Sequence, residues 1–150
     1  MQHKNSFAQI VVVKSTEHGE IDVEDLTKHK IDSEQMFVEK DACEAVNKAV
    51  DGNKRICAVG TTTMRVLESA CATDGYLKEF EGWTNKFIFP PYDFTIPSAM
   101  VTNFHMPEST LLMLVAAFGG YEQIMNAYDV ALKEGYRFGP YGDAMLILDK

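Results

Sequence analysis

Asn103 and His105 stand two residues apart in the run Met100-Val101-Thr102-Asn103-Phe104-His105-Met106-Pro107. At a strand end, alternation puts their side chains on one face and Phe104 on the other. An amide fixes hydrogen bonds, and an imidazole titrates near neutrality and can carry a proton. A structural histidine satisfied by its neighbours is the competing reading of His105, and the residues alone leave both open. Pro107 pushes Met106 toward extended geometry. The almost wholly apolar stretch 109–118 that follows reads as a buried helix pinning this strand end.

A second chemical candidate is Val59-Gly60-Thr61-Thr62-Thr63-Met64-Arg65, a strand, a turn glycine, three hydroxyls and a helix start. N–H groups at a helix start suit anionic or polar ligands, and a glycine permits close approach. Neither a phosphate-loop Gly-Lys-Ser/Thr nor a Gly-x-Gly-x-x-Gly pattern is present. Helix capping by a threonine is the plainer alternative. Arg65 then either pairs with Glu68 one turn on or faces a ligand.

His29 and Glu34 lie five residues apart, which is not a metal-binding spacing, and a solvated charged segment is the simpler explanation. The four histidines, His3, His18, His29 and His105, form no ligand cluster with cysteine, so no metal site is expected. Tyr136-Arg137-Phe138-Gly139-Pro140-Tyr141-Gly142-Asp143 is aromatic and polar. It is either a pocket lip, with Tyr141 and Asp143 toward a ligand, or an aromatic turn packed under the sheet.

The elements that must position these groups alternate. Strands are expected at 7–13, 35–38, 55–59, 86–89, 100–104 and 144–148. Residues 16–30 read as a loop with a short helix. Helices are expected from a cap at Asp41 to about residue 50, over 61–72, 109–118 and 121–133. In the helix 61–72, Met64, Leu67 and Cys71 form the apolar face and Arg65, Glu68 and Ser69 the polar one. This order predicts an α/β domain with a largely parallel sheet flanked by helices, and ligands beyond the strand C-terminal ends.

A chain of 150 residues, 46% apolar and 24% charged, fits one globular domain or part of a larger one. A net charge of −8 argues against a general nucleic-acid binder, although a local basic patch remains compatible with it. Cys43, Cys57 and Cys71 form no Cys-x-x-Cys pair and read as buried thiols. The apolar run 111–118 is too short to span a bilayer, and no signal peptide is evident, so no membrane role and a cytoplasmic location are expected.

Taken together, the segments resemble the S-adenosylmethionine:tRNA ribosyltransferase-isomerases of queuosine biosynthesis. The resemblance runs over residues 20–148 in the family's order. It takes in His29 to Glu34, with Ile31 where the family has Met, and the run from Ala58 to Ser69. It continues through Phe87-Ile88-Phe89-Pro90, Thr102 to Leu111, Tyr136-Arg137-Phe138 and Tyr141 to Met145. The family's glycine-rich lead-in is absent, Pro91 replaces a glycine and Gly139-Pro140 replaces a Phe-Ser pair. Because the family's chains are more than twice as long, the sequence looks like their C-terminal portion, part of a larger barrel-like α/β catalytic domain.

The resemblance implies a reaction in which the ribosyl unit of S-adenosylmethionine passes to 7-aminomethyl-7-deazaguanine at the tRNA wobble position. Epoxyqueuosine forms while adenine and methionine leave. It further implies His105 as the leading proton-transfer group, with Asp143 and Glu34 as the other acid/base candidates. Gly60, Thr61, Thr62, Thr63, Arg65, Asn103 and Tyr141 would contact the nucleoside substrate, Arg65 through a carboxylate. The expected partners are that tRNA and the missing N-terminal half. A catalytically incomplete S-adenosylmethionine-binding module is the alternative.

Overall fold

The computed structural model describes residues 11–12, 31 and 33–148. The expectations for 16–30, including His29, lie outside the described residues, as does most of the strand expected at 7–13. In chain order the elements are β1 (Val11–Val12), β2 (Glu34–Val38), α1 (Lys40–Asp51), β3 (Cys57–Val59), α2 (Thr61–Ala70), β4 (Phe80–Thr84), β5 (Ala99–Asn103), α3 (Thr110–Gly119), α4 (Tyr121–Lys133) and β6 (Ala144–Leu148).

The strands form two three-stranded sheets rather than one largely parallel sheet. Sheet β1-β2-β4 is antiparallel throughout, and in sheet β3-β5-β6 only the β3–β5 pair is parallel. The reason lies in the connections. One helix between strands returns the chain to the end where it began, which allows parallel pairing. Two consecutive helices, α3 and α4, separate β5 from β6, so β6 comes back antiparallel.

The strand expected at 86–89 is irregular, and the strand in this region is β4 instead. Glu81 and Gly82 weaken its strand signal, yet it pairs along its whole length with β2. The helices follow their patterning more closely. Ser109 caps α3, its Oγ accepting from Leu112 N–H at 3.2 Å. Gly120, at φ 82°, ends α3. A Cβ at Gly119 would lie 2.5 Å from Ile124 Cδ1, so α4 packs directly on the end of α3. Asp41 does not cap α1. It sits in the first turn behind Glu39, where a carboxylate still favours the helix dipole.

The core joins both sheets through α2 and α3, with Met36, Met64, Leu77, Met100 and Val115 essentially sealed. Two expectations about exposure are overturned. Arg65 and Glu68 lie in the interior rather than on a polar face, because α2 is packed all round. Cys57 is exposed rather than buried, and Val59 beside it on β3 is 67% exposed. Among the described residues, no helix is long and apolar enough to cross a membrane.

Candidate functional site at the β3–β5 rim

Parallel pairing of β3 with β5, Val59 opposite Val101, brings their C-terminal ends to one rim. The Gly60 N–H donates to Val101 O at 2.8 Å, so the glycine turn is stitched directly to β5, which ends at Asn103 two residues before His105. Gly60 has φ 89° and ψ 149°, a conformation that L side chains rarely adopt, and a built Cβ would meet nothing within 4 Å. Conformation rather than crowding therefore selects glycine here.

No side chain caps α2. Thr63 instead turns back, its Oγ1 donating to Val59 O at 2.8 Å. Thr61 is buried, while Thr62 and Thr63 are half-buried at the rim.

At the other strand end, Thr102 is buried and its Oγ1 lies 2.8 Å from His105 Nε2, so the two share a hydrogen bond. His105 is half-buried, and its backbone N–H donates to Tyr128 Oη at 2.9 Å. Burial pushes the Tyr128 phenol above its ordinary value, partly offset by that N–H. The imidazole is thus held from two sides, through its ring by Thr102 and through its backbone by α4.

Asn103 reaches toward the C-terminal loop rather than straight outward. Its Nδ2 donates to Gly142 O at 3.2 Å and Asp143 O at 3.3 Å. Phe104 N–H donates to Asp143 O, and Gly139 N–H to Phe104 O. Phe104, Tyr128, Tyr136 and Phe138 stack edge to face or tilted, with centroids 5.2–5.7 Å apart. A Cβ at Gly142 would lie 2.3 Å from Arg137 O, so only glycine fits the close approach. The aromatic turn packs on the strand end and presents Tyr141 at its lip, 98% exposed.

Asp143 closes this loop. Its Oδ2 accepts from Arg137 N–H at 2.8 Å, and its Oδ1 lies 3.6 Å from the guanidinium. That backbone donor, reinforced by the Arg137 charge, holds its carboxyl below the ordinary carboxylate range. A carboxylate so stabilised is a weak base.

Glu34 and Arg65 pair with each other. Glu34 at the start of β2 meets the Arg65 guanidinium at 2.9 Å, with side chains 3% and 7% exposed. The contact is made by Glu34 Oε2 and Arg65 Nη1, and among the described residues Glu34 Oε1 and Arg65 Nε and Nη2 meet no hydrogen-bond partner. Burial pushes the guanidinium down from its ordinary value, and Glu34 pulls it back up. This pair ties the β1-β2-β4 sheet to α2.

Three residues that organise the rim and its surroundings went unread in the sequence. Thr102 shares a strand face with the sealed Met100, so its buried hydroxyl needs a partner, a signal that was available. Glu68 is 4% exposed. Its two oxygens accept from Tyr92 Oη at 3.0 Å and from Thr95 and Ile96 N–H at 3.0 and 3.2 Å. Lys86 Nζ donates to the Glu68 carbonyl at 2.7 Å, so one residue organises the irregular segment after β4. Burial first, then Glu68, push the Tyr92 phenol far above its ordinary value. Tyr128, read only as part of a helix, holds His105.

Among the described residues no group of three or more His, Cys, Asp or Glu is placed to hold a metal ion. A cleft of about 630 Å³ bounded by Phe37, Glu39, Lys40, Glu79 and Glu81 contains none of the rim residues. Its three carboxylates make it a poor seat for a phosphate chain.

The sequence matches the model of a family described as queuosine biosynthesis protein over residues 5–147. It is 74% identical over 131 residues to the S-adenosylmethionine:tRNA ribosyltransferase-isomerase of Bacteroides fragilis, covering 87% of this chain and 37% of that one. The protein of the same name from Cytophaga hutchinsonii is 59% identical over 128 residues, covering 85% and 37%. The crystal structure of the S-adenosylmethionine tRNA ribosyltransferase of Thermotoga maritima superposes with a TM-score of 0.73 at 48% identity, covering 77% of this chain and 40% of that one. The chain thus spans about 37% of the length of the curated relatives it matches.

Proposed function

The chain belongs to the queuosine biosynthesis protein family, and from that membership we propose that it supplies one wall of a site that modifies tRNA. The reaction is transfer of the ribosyl unit of S-adenosylmethionine to 7-aminomethyl-7-deazaguanine at the wobble position, giving epoxyqueuosine and releasing adenine and methionine. The observation that supports this reading is the stitching of the Gly60–Thr63 turn to the strand that ends at Asn103, just before His105, within a chain 74% identical over 131 residues to a relative of that name. The chain is read as the C-terminal portion of a larger barrel-like catalytic domain in the cytoplasm, which acts with the remainder of that domain.

The chemistry sets the requirements. A sulfonium acidifies the neighbouring C5′ hydrogens, so a base can form a stabilised carbanion there. Departing adenine needs a proton or hydrogen bonds, and the attacking amine must be neutral. His105 is the proton-transfer group of this proposal. Because Thr102 shares Nε2, a proton moving through that nitrogen passes by way of the threonine hydroxyl or requires that bond to open. The N–H groups of the uncapped α2 start and the hydroxyls of Thr62 and Thr63 suit ribose or methionine polar atoms. Asn103 keeps its amide oxygen for a ligand while its nitrogen holds the loop, and Tyr141 offers its ring to a base.

Arg65 and Glu34 enter the proposal differently from the rim. They contact substrate only if their ion pair opens, and Asp143 acts chiefly by setting the loop.

The experiment is adenine release from S-adenosylmethionine with tRNA carrying the aminomethyl base, in the Bacteroides fragilis relative with the residue matching His105 changed to Ala. Turnover should fall roughly 10²- to 10⁴-fold with substrate affinity little changed. Unaltered turnover removes His105 from the reaction. Calorimetric titration of the present chain with S-adenosylmethionine then separates a binding module from a domain whose motifs serve only packing.

A further inference from the structure

The turn before β6 carries an exposed ring on a fixed support. Tyr141 is 98% exposed, yet the chain around it is tied down. Asn103 Nδ2 donates to the carbonyls of Gly142 and Asp143 at 3.2 and 3.3 Å. Gly142 N–H donates to Gly139 O at 2.9 Å, Asp143 N–H to Arg137 O at 2.7 Å and Gly139 N–H to Phe104 O at 2.8 Å. Behind the turn the Phe138 ring packs on Phe104 and Tyr128. None of these contacts uses the Tyr141 side chain. Two neighbours share the lip. Tyr136 is 50% exposed, its ring edge-on to Phe104. The Arg137 side chain is 77% exposed, and its guanidinium meets Asp143 Oδ1 at 3.6 Å, beyond hydrogen-bond length.

A single exposed tyrosine is ordinary. A ring held on rigid backbone, with a second ring and a guanidinium plane on the same turn, suits a flat ligand, because little freedom remains to be lost on stacking. Charge decides how that ligand is held. With a net charge of −8, and Asp143 beside Arg137, attraction for phosphate is weak here, whereas stacking does not depend on charge. Position decides which base it is. Asn103 ends β5 and bonds the residue next to Tyr141, so the ring stands just outside the rim. The reacting base must reach half-buried His105, and a fully exposed ring cannot enclose it. Enzymes that act on one base of a strand also hold the nucleotides flanking it.

We propose that the turn 136–143 is a stacking platform for the unpaired nucleotide that flanks the modified base. Tyr141 is its main contact, and Tyr136 and the Arg137 guanidinium are secondary ones. The proposal rests on the tRNA-modifying reading above. It adds that the tRNA is held beside the reacting base by a neutral ring, with little dependence on sequence or salt.

The test measures binding and not turnover. The full-length Bacteroides fragilis relative carries this chain's residues 136–143 at the matching place, and S-adenosylmethionine is left out. The probe is a hairpin RNA with the wobble guanine in its loop and 2-aminopurine on each side of it in turn. Emission of the 2-aminopurine on one side should change on binding. Tyr141→Ala should abolish that change and weaken binding about 5- to 150-fold, and Tyr141→Phe should keep both. The loss should stay the same as salt is raised from about 50 to about 200 mM. Unchanged binding in Tyr141→Ala overturns the proposal. So does a loss that vanishes at the higher salt, since the contact is then electrostatic. So does a Tyr141→Ala protein that melts clearly earlier than its parent, since the ring is then covered by the rest of the protein. Failure of the reaction reading looks different: RNA binds and stacks on Tyr141, but no tRNA-dependent adenine release occurs, and the platform stands.

Discussion

Two polar regions of this molecule use opposite means. Around α2, charged groups are sealed inside: Arg65 against Glu34, and Glu68 against the segment holding Tyr92, Thr95 and Ile96. At the β3–β5 rim the groups are neutral or half-exposed: Gly60, Thr62, Thr63, Thr102 and His105. Buried ions cost several kcal/mol of desolvation each and persist only when paired, which ties them to architecture. Half-exposed hydroxyls and an imidazole cost little to hold and remain available to a ligand. The difference teaches that in this chain buried formal charge marks the joints between layers, while neutral polar groups line the rim to which we assign the proposed chemistry.

The sharpest way to break that contrast is Arg65→Ala. It leaves Glu34 buried without its partner and should cost about 3–5 kcal/mol in urea unfolding. The double change Arg65→Met with Glu34→Leu should recover most of that loss, since it removes both ions. A cost below about 1 kcal/mol for the single variant would mean that the pair is not the joint described. Glu68→Gln comes next. It takes the charge from three hydrogen bonds and turns an amide N–H₂ toward groups that also donate, so about 1.5–3 kcal/mol should be lost. Without the carboxylate the Tyr92 phenol should ionise at lower pH, which ultraviolet titration reads, although burial continues to hold it above the ordinary value.

The same contrast explains what the sequence could and could not reveal. Helices α3 and α4 were legible because long apolar or periodic runs with a Ser cap and two glycines leave little choice. The rim was legible because a strand–glycine–helix join is local, and one register fixes its neighbour. The course of β6 was not, since its direction depends on two helices returning the chain, a fact of topology rather than of residues. Strand β4 was missed because cross-strand pairing with β2 outweighs its weak propensity. Arg65 and Glu68 were assigned to a solvated face because charge ordinarily means exposure. Yet Thr61, Arg65 and Glu68 recur at helical spacing, a polar stripe that a helix buried on every side must answer with internal partners.

At the rim the expected effects are smaller. Thr102→Val keeps the shape of the buried side chain and removes the hydrogen bond to His105 Nε2, so stability should fall by only about 1 kcal/mol. The ¹⁵N resonance of that ring nitrogen should move, because its hydrogen-bond partner has gone. An unmoved resonance would show that Thr102 does not orient the ring.

The smallest effect belongs to Asp143, and its sign is the informative part. The Arg137 backbone N–H holds its folded pKa below the ordinary carboxylate value of about 3.9. The stability it contributes is therefore complete above that value and is lost as pH falls through the depressed folded value. Asp143→Asn should lower the melting temperature slightly at neutral pH, and the gap should close as the solution is acidified below the carboxylate range. The loop stays attached in the variant, because Asn103 Nδ2 and Phe104 N–H bond the backbone carbonyls of Gly142 and Asp143 rather than the side chain. A gap that widened in acid would mean that the carboxyl is stabilised in its protonated form, and Asp143 would then belong with the groups available for proton transfer rather than with those that only shape the loop.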